Sequence, residues 1–180
     1  IAMPEEYGGA GLGVTEAAIM MHTVAKTRGA MSAASSIHMN IFGPHPISVF
    51  GNDEQKERWI PDLVQGKYKS CFGVTEPNSG LNTAALQTRA ERTNNGWVVN
   101  GRKIWTSTAQ VASKIMLIAR TTPQEDCAKP IDGLSLFFTD LNRDYCDVRR
   151  IPKMGRKAVD SNEVFIDGLP IPEEDLIGEE

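Results

Sequence analysis

Up to about residue 69 the apolar positions recur at helical spacing. Beyond it they fall in short runs and alternations. Ala17, Met20, Met21 and Val24 share one helical face, with Thr15 as the expected N-cap, Glu16 in the first turn and Gly29 as the stop. The run AMSAASSIHMNIF predicts a second helix of small residues, closed by Gly43 and Pro44. GNDEQKERWIPDLVQGK predicts a third. Asp53 or Asn52 caps it, acidic residues fill its first turn, and Trp59, Ile60 and Leu63 give it an apolar stripe. Pro61 should bend or break this helix, and Gly66 should end it.

After Lys69 the texture becomes that of strands. QTRAERT and GWVVNGRKIWTS flank Asn94-Asn95-Gly96, a hairpin signal. KIMLIART is a continuous apolar run, short enough for a buried strand. GLSLFFTDL, YCDVRRI and NEVFIDGL follow, separated by Pro, Gly, Asp and Asn. Regular short strands with turn signals predict an antiparallel barrel or sandwich. The expected architecture is α+β in two domains, helical over 1–70 and β over 71–180.

Charge and composition narrow the function. A net charge of -4 argues against a nucleic-acid binder, but leaves room for a phosphate-bearing small ligand. No run is long and apolar enough to span a membrane. Cys71, Cys127 and Cys146 are odd in number and lack metal spacing, which favours free thiols in a reducing compartment. His22, His38 and His45 share no metal spacing either, and no metal is expected. Gly8, Gly9, Gly11 and Gly13 lack the strand and helix of a βαβ unit and read as a flexible surface loop. Neither end, MPEEYGGAGLG or DLIGEE, reads as a natural boundary, so a piece of a longer protein is expected.

Two stretches could carry chemistry. In SCFGVTEPNSGLN, residues 70–82, an apolar run ends in Thr-Glu-Pro and meets a loop of small residues. Pro77 cannot donate a ladder hydrogen bond, so the strand ends or leaves the sheet there. Gly80 permits positive φ or close backbone approach. Such a loop can hold an anion, and Thr75 puts a hydroxyl at the strand end. A plain β-turn explains the same residues. In NGRKIWTSTA, residues 100–109, Trp105 and Ser107 share a strand face. An indole beside a hydroxyl suits a flat ring with polar edges, and equally a half-buried Trp beside a surface Ser. Ser-His-Asp order, CxxC, HExxH and P-loop signatures are all missing.

Taken together, the chain resembles the acyl-CoA dehydrogenase family of flavoproteins. PEEYGGAGLG, GNDEQKERWIPDLVQGK, VTEPNSGLNT with QTRAER, NGWVVNGRKIWTS, and PKMGRKAVDSNEVFIDGLPIPEEDLIGEE are similar to family segments, in family order, over nearly the whole chain. The resemblance implies a partial helical N-terminal domain and a β-barrel middle domain. A C-terminal four-helix domain, absent from this chain, would follow.

It also implies roles. Phe72 to Leu81, Gly80 among them, would line FAD, with the Val74 backbone and the Thr75 hydroxyl on the pyrimidine edge of the flavin. Trp105, Thr106 and Ser107 would form the other flavin wall, the indole covering the ring and Ser107 reaching N5 and O4. Glu76 would hold the loop. Leu81-Asn82 departs from the family's Ser-Asp. Only the Leu81 N–H is left for the pyrophosphate or the substrate thioester, with Asn82, Thr83 or Ser79 as substitutes. AVDSNEV likewise departs from the usual family end and implies a subgroup.

The implied reaction is α,β-dehydrogenation of an acyl-CoA, with hydride transfer to flavin N5 and a catalytic carboxylate beyond residue 180. The implied partners are an acyl-CoA, an electron-transferring flavoprotein, and further copies in a homodimer or homotetramer. The implied compartment is a bacterial cytoplasm or a mitochondrial matrix. An acyl-CoA oxidase or a flavin monooxygenase on the same fold is the alternative enzyme. A non-catalytic β-barrel binding module is the alternative of another class.

Overall fold

The computed structural model describes residues 1–179. Four α-helices fill the first third: α1 Val14–Ala25, α2 Ala30–Phe42, α3 His45–Phe50 and α4 Asp53–Val64. α1 begins ahead of Thr15, because the Glu16 carboxylate reaches back to the Gly13 amide at 2.9 Å. It also ends before Gly29. The Thr27 hydroxyl donates to Val24 O and accepts the Gly29 amide, which closes a turn there, and Gly29 instead opens α2. α3 is unexpected, since it starts directly after Pro44, whose expected role is only to close α2. Pro46 lies in the first turn, where a missing N–H costs nothing.

α4 is capped by Asn52, whose Oδ1 accepts the Gln55 amide at 2.8 Å while Gln55 Oε1 accepts the Asn52 amide at 3.1 Å. Pro61 does not break this helix. Trp59 and Ile60, at 1% and 0% exposure, anchor the turn that holds the proline, and their burial outweighs one lost backbone bond. Gly66, at φ +68, lies just past the end. The glycine run near the start is a tied turn rather than a loose loop. Gly9 and Gly11 donate to Pro4 O and Met3 O, both at 2.9 Å.

The strands are β1 Ser70–Gly73, β2 Arg89–Thr93, β3 Gly96–Ser107, β4 Lys114–Arg120, β5 Leu134–Asp140, β6 Cys146–Arg150, β7 Ser161–Ile171 and β8 Leu176–Ile177. They form one sheet in the order β6-β7-β3-β2-β4-β5-β8, with β1 beside β4. A helical N-terminal part followed by a β middle part is as expected. The purely antiparallel expectation needs correcting, since β1 runs parallel to β4 and β2 meets β4 through one parallel bridge, Arg89↔Arg120. β1 arrives from the helices, and the β2–β3 hairpin lies between it and β4. That gives the long crossover a parallel pair requires.

The hairpin turns at Asn94-Asn95 with Thr93 opposite Gly96. The positive φ falls on Gly96, at +122, where a Cβ would lie 2.2 Å from Ile171 O. The run KIMLIA is buried on both faces. Ile115 and Leu117 join Trp97, Val99, Phe137 and Val164 inside the sheet. Met116 joins Ile47, Trp59, Ile60 and Phe138 between sheet and helices. This second core fixes the helical part against β4 and β5.

Candidate functional site

β1 ends at Gly73, and the chain then runs on beside β3. Ile104 N–H donates to Thr75 O at 2.8 Å, and Lys103 Nζ donates to Val74 O at 3.2 Å. Both carbonyls of the exit are thus held by β3. The N–H and hydroxyl of Thr75 have no hydrogen-bond partner among the described residues. Next comes a closed turn, with Glu76 N–H donating to Ser79 O and Ser79 N–H to Glu76 O. The plain-turn reading therefore holds for residues 76–79, while Thr75 stands outside it with its donors free. Ser79 Oγ is spent on Asn82 O at 2.5 Å. The Leu81 side chain is fully exposed, and a Cβ on Gly80 would meet nothing within 4 Å. The Phe72 ring packs edge-on against Phe42 of α2, with centroids 5.1 Å apart, so it ties β1 to the helices.

The second wall departs from simple alternation. β3 pairs with β7 through Lys103↔Val164 and then Thr106↔Asn162, so three steps on β3 match two on β7. This is a bulge over Ile104–Trp105, with Trp105 at φ +62. Regular alternation would put Lys103, Trp105 and Ser107 on one face. Lys103 keeps the inward alternation and is fully buried, while the bulge after it turns Trp105 outward, 57% exposed, with Ser107 part-exposed two residues on. Thr106 is buried, and its hydroxyl has no partner among the described residues. Its carbonyl accepts Asn162 Nδ2 at 2.9 Å, and Asn162 Oδ1 accepts Gln110 Nε2 at 2.8 Å. The Ser107 hydroxyl, like that of Thr75, has no partner among the described residues.

Under these walls lies a buried ion pair. Glu76 Oε1 accepts Lys103 Nζ at 2.8 Å and the Thr88 amide at 2.9 Å, and Oε2 accepts the Gln87 amide at 2.7 Å. Burial works to raise the Glu76 pKa, but the lysine and the amide donors outweigh it and hold the carboxyl below its usual range. Glu76 therefore holds the loop. Lys103 and Asn162 were missed by the sequence reading. A signal for Lys103 was present, since it continues the inward period-two series begun by Trp97 and Val99. Asn162 had no such signal.

An uncovered indole face and two unspent hydroxyls thus stand where β1 and β3 meet. That donor set fits a flat, polar-edged ring, which the indole would cover and the hydroxyls would meet at its edge.

The acyl-CoA dehydrogenase middle-domain profile matches residues 71–169, and the N-terminal-domain profile matches residues 1–67. An acyl-CoA dehydrogenase of Bacillus subtilis (strain 168) is 32% identical over 181 residues, covering 100% of this chain and 46% of that protein. A glutaryl-CoA dehydrogenase of Desulfococcus multivorans is 30% identical, covering 98% and 45%. Among solved structures, the FAD complex of PigA superposes with TM-score 0.91 at 26% identity, over 99% of this chain and 46% of that one. A glutaryl-coenzyme A dehydrogenase bound to glutaryl-CoA superposes with TM-score 0.89 at 29% identity, over 99% and 45%. The chain spans less than half the length of these relatives. With both domain profiles matched in order, this chain belongs to the acyl-CoA dehydrogenase family.

Proposed function

We propose that this chain forms the flavin-facing wall of an FAD-dependent acyl-CoA dehydrogenase. The observation that carries this reading is the exposed Trp105, raised on a bulge beside the unspent donors of Thr75. When bound, FAD supplies the acceptor for a hydride from the β carbon of an acyl thioester. The chain's own residues bind and shield. The Thr75 N–H and hydroxyl hold the pyrimidine edge, and the Val74 carbonyl, taken by Lys103, serves only to place them. Trp105 covers one face of the ring and keeps water from it. Ser107 Oγ would reach N5 and O4 of the same ring. Thr106, buried, supports these two from behind. Gly80 and Leu81 border the phosphate and thioester side through backbone alone.

Removal of the α proton needs a carboxylate, and Glu76 is not available for it, since three donors occupy its oxygens. The base comes from another part of the protein. The acyl-CoA substrate, a flavoprotein electron acceptor, a homodimeric or homotetrameric assembly and a bacterial cytoplasmic or mitochondrial matrix setting belong to the same proposal. The test uses the full-length protein. It should purify with flavin absorbance, or gain it when FAD is added, and bleach anaerobically with one member of an acyl-CoA panel that includes isovaleryl and glutaryl thioesters. A colourless protein that takes up no FAD overturns the reading.

A further inference from the structure

Lys103 is 0% exposed, in a strand position whose inward neighbours Trp97 and Val99 are apolar. A lysine there is not explained by stability, because buried ion pairs replaced by apolar residues of similar volume are often neutral or stabilising. What distinguishes this pair is the set of segments it joins. The ammonium holds Val74 O at the exit of β1. The carboxylate holds the Gln87 and Thr88 amides at the approach to β2. Both are anchored on β3 at Lys103, immediately before the bulge that raises Trp105. An apolar side chain at 103 would leave the Val74 carbonyl and the Glu76 carboxylate without their cation, and among the described residues the Ile104–Thr75 bond alone would then tie the exit of β1 to β3 by a hydrogen bond.

Resting on the flavin reading above, we infer that Lys103 and Glu76 are positioning residues that fix the spacing between the Thr75 donors and the Trp105 indole, and through it the affinity and orientation of the flavin. The pair touches no reacting atom. It acts through the backbone of residues 74–75 and 104–105.

The experiment compares full-length wild type with Lys103→Met, Glu76→Gln and the double variant. It reads FAD dissociation constants, the visible circular dichroism of bound flavin, and the melting temperature of the apoprotein. Lys103→Met should weaken FAD at least about tenfold, as expected for a lost charged hydrogen bond, and change the flavin dichroism. The double variant carries no charge at this buried pair. It should recover most of the melting temperature yet keep the weakened FAD binding and the altered dichroism. A double variant that regains both melting temperature and FAD affinity overturns the inference, as does a loss of affinity that tracks melting temperature in all variants. Should Lys103→Met fail to fold, the isosteric Glu76→Gln carries the same comparison. Wild type that binds no FAD sinks the flavin reading and this inference together. Wild type and double variant that bind FAD alike sink only the inference.

Discussion

The amide of Ile104 donates to the carbonyl of Thr75 at 2.8 Å, one residue before Trp105 enters the left-handed region at φ +62. That bond brings a strand end and a bulge side by side. A bulky L-residue pays for such a φ, by about 1–2 kcal/mol, and here the burial that would normally offset the strain is small, because Trp105 is mostly exposed.

Replacing Trp105 should therefore separate fold from function. Trp105→Gly is expected to be more stable than Trp105→Ala by about 1 kcal/mol in urea denaturation, since only glycine takes this φ without strain. Both variants should alter the flavin spectrum of the full-length protein and slow its reduction by substrate. An unchanged spectrum and rate would remove Trp105 from the flavin face.

The cap of α4 gives a second expectation. Asn52→Ala removes one capping bond and should cost about 1 kcal/mol. Gln55→Ala should cost more, by a further 1–3 kcal/mol or so. Its Nε2 also donates to Glu174 O at 2.9 Å and Leu176 O at 2.6 Å, which stitches the helix to the approach of β8. Equal losses in chemical denaturation would mean that the stitch contributes nothing.

Glu76 sets a pH expectation. Burial raises its pKa, but Lys103 and the amide donors more than offset this, and the folded value lies below the ordinary 4.5. A group depressed on folding stabilises the fold above its unfolded pKa, and that stability is lost as pH falls through the folded value. Unfolding free energy should therefore drop as pH is lowered from about 6 to about 3, and the drop should be shallower in Glu76→Gln. Asp175, raised mainly by burial, works in the opposite sense and will partly mask the slope in wild type. Parallel slopes in wild type and variant would mean that Glu76 is not held in its charged form.

Much of this fold was legible because its elements follow one period each. The α2 run, the Asn-Asn-Gly hairpin and the long strands β3 to β7 carry unmixed patterns, and they appear with nearly the expected limits. The exceptions are places where tertiary contacts overrule a local rule. Pro61 stays helical because Trp59 and Ile60 are buried around it, and α3 begins among prolines that its first turn tolerates. The site was legible as residue types but not as geometry. Trp105 and Ser107 do share the outer side, but only because a bulge that no residue type announces turns Trp105 out of the inward series that Lys103 continues. The charge of Lys103 masks the inward position that its period-two spacing marks, until Glu76, 27 positions earlier, is seen to lie against it.

The bulge has one more consequence, an optical one. Of the three tryptophans, Trp59 and Trp97 are 1% and 2% exposed, whereas Trp105 is open to solvent. A soluble quencher will reach Trp105 first, and a ring laid against it will take up its emission. The residue at the heart of the proposed pocket is thus also its built-in lamp, and occupancy of the wall can be followed with no label at all.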